Sequence, residues 1–164
     1  VDHDIALTSN FSNIERDLEI TATYFLRLHA VKYNMLSNPS IEVAKNLINN
    51  NHEVGLHYEP SFFRNKNHEE CIRNELDLLS NILNYEVKYF NVHEPSRTQV
   101  NLSNILKEKN RCYNSSHLSN FKYISDSSCN WREGCFSEHV GKWDKLLVLT
   151  HPFWWYHETP TENY

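Results

Sequence analysis

Glycine is scarce in this sequence, with three residues in 164, although a chain that alternates strands and helices turns many tight corners. Asparagine tolerates the left-handed backbone region and is the expected substitute, with Asn50, Asn51 and Asn84 as candidates. No Pro-, Gly- or Ser-rich stretch interrupts the chain, so residues 1–164 read as a single domain with one core. A net charge of -5 without any Lys/Arg cluster removes the electrostatic footprint of nucleic-acid binding. Also missing are an apolar run long enough to span a membrane and a basic-then-apolar opening, so the cytoplasm is the expected location. The chain opens on Val1-Asp2-His3-Asp4, which reads as the end of a strand that starts upstream. Cys71, Cys112, Cys129 and Cys135 lack the CxxC spacing of a structural zinc site and read as free thiols, with a bridge between Cys129 and Cys135 as the alternative for an exported protein.

What is present is an ordinary globular balance, 40% hydrophobic and 23% charged, with an elevated aromatic share of 13%. Apolar runs of strand length alternate with stretches of helical period, the pattern of repeated βα units and a mostly parallel sheet. Residues 22–28, 53–57, 88–92, 121–125 and 145–150 are expected strands. Ile41, Ala44, Leu47 and Ile48 form the stripe of an amphipathic helix. Asn67 followed by Glu70 is a helix-start signal, and Ile72, Leu76, Leu79 and Leu83 continue it at helical spacing. A further helix is expected over residues 100–107.

In parallel α/β architectures functional groups collect where strands end, because the following loops open on one face. Asp2 and Asp4, His57 with Glu59, His93, Asp126 and His151 all fall at or just past the carboxyl ends of expected strands. Core packing does not explain seven such positions. His52 reads as a structural hydrogen-bonding residue before its strand. His29, His68, His117, His139 and His157 have no such context and default to the surface.

These residues carry a resemblance, in order along the chain, to the polysaccharide deacetylases, the NodB-homology barrels. Asn51-His52-Glu53-Val54-Gly55-Leu56-His57 resembles the family segment whose last histidine binds the metal, with Asn51 in place of a helix-ending glycine. Asp2-His3-Asp4 resembles the motif pairing a catalytic base with a metal-ligand carboxylate. Asp2 is taken as the base and Asp4 as the ligand, the reverse assignment staying open. The family's second metal histidine, four residues past the first, is Ser61 here. His93, in His93-Glu94-Pro95-Ser96, is taken as the replacement ligand, with Glu59 as its competitor and otherwise a substrate contact. Tyr123-Ile124-Ser125-Asp126 with Trp131 is similar to the motif that lines the pocket and steadies a catalytic group, although Ser-Asp-Ser-Ser is also a good turn sequence. Leu147-Val148-Leu149-Thr150-His151-Pro152 resembles the closing motif whose histidine is the general acid.

The resemblance implies an incomplete or distorted (β/α) barrel and a metal-dependent hydrolase that removes acetyl groups from an N-acetylated sugar of a surface polysaccharide or its precursor. Asp4, His57 and His93 would hold a divalent metal, zinc by the mix of imidazole and carboxylate donors. Asp2, His151 and Asp126 would be catalytic. Trp131 would wall the pocket, and Trp154, within Phe153-Trp154-Trp155-Tyr156, would offer a flat face to the carbohydrate or serve only as packing. A silent carbohydrate-binding domain on the same fold and a metal-dependent amidohydrolase of small non-sugar amides are the alternatives. The retained Asp pair and His151 favour an enzyme, because a pure binder needs no acid and base together.

Overall fold

The computed structural model describes residues 1–94 and 120–155. They divide between two compact units, Val1–Tyr113 and Asn114–Tyr164. The expected helix over 100–107, and Cys112, His117, Tyr156 and His157, lie outside the described residues.

The first unit is built from α1 (Leu7–Asp17), β1 (Thr23–Leu26), α2 (Asn38–Asn49), β2 (Glu53–Tyr58), α3 (His68–Leu83) and β3 (Phe90–Val92). Its strands form a parallel sheet in the order β1-β2-β3, with Leu26 beside Leu56 and His57 beside Asn91. Ser37 caps α2 through its side chain. Asn67 caps α3 by accepting from the backbone N–H of Glu69 and Glu70, as the sequence signal implied. Asn51 (φ 65°) and Asn84 (φ 50°) take the left-handed corners that glycine would otherwise fill, and Asn65 (φ 63°) does so too. Asn50 departs from expectation: its φ of -80° continues the last turn of α2.

Helix α1 had no counterpart in the hydropathy pattern, and the structure shows why. Its buried residues are Thr8 and Ser12, its N-cap Ala6 has no side-chain bond, and Ile14 faces solvent. Polar contacts anchor it instead: Asn50 donates to Ser12 Oγ (2.9 Å), Tyr24 to Glu15 (2.5 Å), and His52 Nε2 to the Ser12 carbonyl (3.2 Å). His52 Nδ1 accepts from the Ala22 N–H (3.2 Å), so this histidine is the structural residue expected of it.

The sheet has two unlike faces. Tyr24, Leu26, Val54, Leu56, Tyr58 and Phe90 are buried with Ala44 and Leu47 of α2 and Ile72, Leu76, Leu79 and Leu83 of α3, forming the core. Because strand side chains alternate, Phe25, Gly55, His57 and Asn91 project from the opposite face.

The second unit contains β4 (Lys122–Ser125) and β5 (Leu146–Leu149), a parallel pair with Ile124 beside Val148, plus short single-turn helices. The chain is thus mixed α/β with parallel strands in two small sheets, and no closed barrel forms among the described residues. No helix of the described residues is long and apolar enough to cross a membrane. Cys71, Cys129 and Cys135 are free thiols.

Gly55 is the tightest point of the sheet. A methyl group there would stand 2.6 Å from the Phe25 ring and 3.1 Å from the Tyr89 carbonyl oxygen. Gly55→Ala is therefore expected to lower stability by about 1–3 kcal/mol, the usual cost of overpacking, measured as a shift of the urea midpoint at unchanged slope.

Candidate metal centre

The polar face of the first sheet brings three ligand atoms together. His57 Nε2 lies 3.1 Å from Asp2 Oδ1 and 3.1 Å from His93 Nδ1, and Asp2 Oδ1 lies 3.6 Å from His93 Nδ1. This group, Asp2 with His57 and His93, is the metal-type cluster found among the described residues. Tetrahedral zinc with ligands at 2.0–2.1 Å would set its donor atoms about 3.3 Å apart, which matches the observed triangle. Three acceptor-type atoms this close repel one another unless a proton or a cation lies among them.

Each ligand is held from behind. Asn91, the register partner of His57, accepts from His57 Nδ1–H at 2.5 Å and leaves Nε2 facing the cluster. His93 follows β3 directly, its backbone N–H bonded to the Tyr58 carbonyl (2.8 Å). Asp2 follows Val1, whose main-chain nitrogen donates to the Phe25 carbonyl (2.5 Å) and whose carbonyl accepts from the Tyr33 hydroxyl (3.1 Å). That hydroxyl also accepts from the Arg27 N–H (2.8 Å). Arg27 pairs with Glu59 and lies 3.9 Å from Asp2, so one guanidinium serves two carboxylates.

Burial opposes ionisation of Asp2, but the His57 ring beside it and the neighbouring positive charges outweigh it and hold the carboxyl well below the usual range. Burial pushes His57 down, toward the neutral imidazole. An ionised carboxylate beside neutral imidazole is the protonation state that a divalent cation needs.

Of the two aspartates whose roles the sequence leaves open, one stands in the cluster. Asp2, not Asp4, stands with the histidines; Asp4 is solvent-exposed and its Oδ1 accepts from the Ala6 N–H (2.9 Å) at the start of α1. Glu59 lies behind His93, 3.8 Å from its Nε2, with Oε1 bonded to Ser61 (2.7 Å).

The second unit carries a separate carboxylate–histidine pair. Asp126 is 2% exposed, so its side chain is a buried anchor at the start of a single-turn helix over Ser127–Cys129. Its Oδ1 accepts from His151 Nδ1 (2.6 Å), its Oδ2 from the His151 backbone N–H (2.9 Å) and from Trp155 Nε1 (2.7 Å). Trp131 meets Trp155 edge to face at 6.0 Å, and Trp154 meets Phe153 at 4.9 Å.

Sequence reasoning passed over Arg27, Tyr33, Asn91 and Trp155, and one further pair. His29 Nε2 is 2.5 Å from Glu75 Oε1, and the His29 ring stacks on Phe62 at 3.6 Å. Glu75 is 5% exposed on α3, and its carboxyl is pushed up to about 7 by burial and then by the Glu59 charge. His29 was left to the surface although it directly follows the first expected strand, 22–28; Glu75 sits in an apolar helix stripe, where no pattern marks it.

No protein-family model matches this chain, and no curated protein matches it either.

The Glu75 carboxyl binds its proton more tightly folded than unfolded, so the folded state holds the extra proton between about pH 4.5 and 7. Stability must then fall as pH rises through that window, by up to about 3 kcal/mol for a shift of this size. Glu75→Gln is expected to abolish this slope, read from urea midpoints at pH 5 and pH 8.

Proposed function

We propose that this chain is a metal-dependent hydrolase that removes the acetyl group of an N-acetylated sugar in a surface polysaccharide or its precursor, on an open variant of the NodB-homology barrel. The observation that carries this reading is the triangle of Asp2, His57 and His93, with edges of 3.1, 3.1 and 3.6 Å, at the carboxyl end of a parallel sheet. Two imidazoles and one carboxylate suit zinc and leave coordination positions for water and substrate. A bound divalent ion supplies a water of lowered pKa and polarises the acetyl carbonyl.

The chain's own residues do the rest. Asn91 fixes the tautomer and orientation of His57, and Arg27 pairs with Glu59 while its other nitrogen approaches Asp2. The resemblance assigns the general acid to His151, which would protonate the departing nitrogen. Asp126 supports that role by fixing the His151 ring through Nδ1. Trp131 and Trp154 are the proposed carbohydrate contacts.

Metal analysis of the purified chain tests the reading directly. Asp2→Ala, His57→Ala and His93→Ala should each lose bound zinc, whereas Asp4→Ala should retain it, because two remaining protein ligands are too few. Full zinc in His93→Ala together with loss in Glu59→Ala would transfer the third ligand to Glu59.

His151→Ala should keep its zinc and lower acetate release from an N-acetylglucosamine oligomer by ~10² to 10⁴, the contribution of a positioned proton donor. Zinc binding and sugar binding without acetate release in the wild type would favour the silent carbohydrate-binding domain. Release from simple acetamides alone would favour the non-sugar amidohydrolase.

A further inference from the structure

The proposed reaction needs a base to take a proton from the attacking water, and the groups expected for that role are engaged elsewhere. Asp2 belongs to the ligand cluster, and Asp4 is exposed at the start of α1. Glu59 has Oε1 bonded to Ser61 and Oε2 paired with Arg27.

We infer that His29, backed by Glu75, is the general base of this site. The inference rests on the proposed function and adds a residue pair to it. His29 stands three residues past β1, at the same sheet end as His57 and His93, with a side chain 26% exposed and so open to a ligand. Its Nε2 is taken by Glu75 Oε1 at 2.5 Å, and Phe62 stacks flat on the ring while Phe63 meets it edge-on at 5.4 Å. The ring is thereby fixed in plane and direction, and Nδ1 is the nitrogen left to exchange protons with a ligand. Glu59 links the pair to the metal cluster: its charge acts on both His29 and Glu75, and it lies 3.8 Å from His93 Nε2.

A histidine with a buried carboxylate at its far nitrogen is a recurrent base arrangement, because the carboxylate fixes the tautomer and stabilises the imidazolium that forms. With Glu75 ionised, His29 carries its proton on Nε2, donates it to Glu75, and presents the Nδ1 lone pair. Water oxygen attacks the acetyl carbon as Nδ1 takes its proton; the C–N bond then breaks as the nitrogen takes a proton from the general acid. Acetic acid and free amine leave, one water is consumed, and the proton on Nδ1 returns to the general acid. With Glu75 protonated, the carboxyl donates to Nε2, the ring proton moves to Nδ1, and the base is disabled. The charged and titratable groups around the pair are Glu59 and Tyr58 of the β2 end, Cys71 of α3 and Arg27 of the β1 end. The carboxyl of Glu75 is pushed up to about 7 by burial, which places the change near neutrality.

The test uses the full zinc-loaded chain. His29→Gln and Glu75→Gln should keep zinc and lower acetate release by ~10² to 10⁴. The wild-type rate should climb with pH and level off above about 7, and Glu75→Gln, whose amide holds Nδ1–H, should lose that rise. Either variant with wild-type rate and pH profile overturns the inference. Should no N-acetyl sugar be turned over, imidazole NMR decides: acetohydroxamate added to the zinc protein should shift the His29 resonances, and an indifferent His29 overturns the assignment. A wild-type chain that binds no zinc overturns both readings, whereas zinc bound beside an indifferent His29 overturns only the base.

Discussion

The parity of β2 decides where the chemistry lies. Val54, Leu56 and Tyr58 pass under the helices, so Gly55 and His57 face the other way, and a slip of one residue would exchange the two sets. The apolar set is strongly specified because it forms the centre of the core with Leu47, Ile72 and Leu79. The polar set inherits that certainty without contributing to it. Gly55 has a part in this partition: its missing side chain lets the Phe25 ring lie across β2, one step from His57.

Charge on the polar face is balanced locally. Asp2 and Glu59 would repel each other without Arg27, which is mostly buried between them. Among the described residues Arg27 Nε has no hydrogen-bond partner, a cost that burial of an arginine incurs when only its terminal nitrogens find acceptors. Glu75 is a third carboxyl in this neighbourhood and meets the field of Glu59 without a guanidinium of its own. Its proton replaces the missing counter-charge, which ties its ionisation to the electrostatics of the whole sheet end.

Much of the backbone was legible, since the strands at 23–26, 53–58, 122–125 and 146–149 and the helices over 38–49 and 68–83 carry either apolar periodicity or a cap. Helix α1 was not, because Thr8 and Ser12 replace the apolar stripe that betrays a helix. At the site, His57 and His93 were readable from their place at strand ends. The choice between Asp2 and Asp4 was not, because residues two apart on an expected strand share a face, whereas in the structure the chain bends at His3 and Val1 is anchored by Phe25 and Tyr33. Asn91, Tyr33 and Glu75 act through partners far away in the chain, and such pairings leave no local trace.

The cluster joins positions 2, 57 and 93, each on a different stretch of the first unit. A cation seated there would act as a clasp on the fold, because all three stretches must be in their native places before the donors meet. Opening the sheet would then require releasing the ion, and the coupling grows with the logarithm of its free concentration. Chelation should make the strand ends the first region to exchange amide protons and admit proteases, so metal supply would govern how long the chain survives as well as what it does.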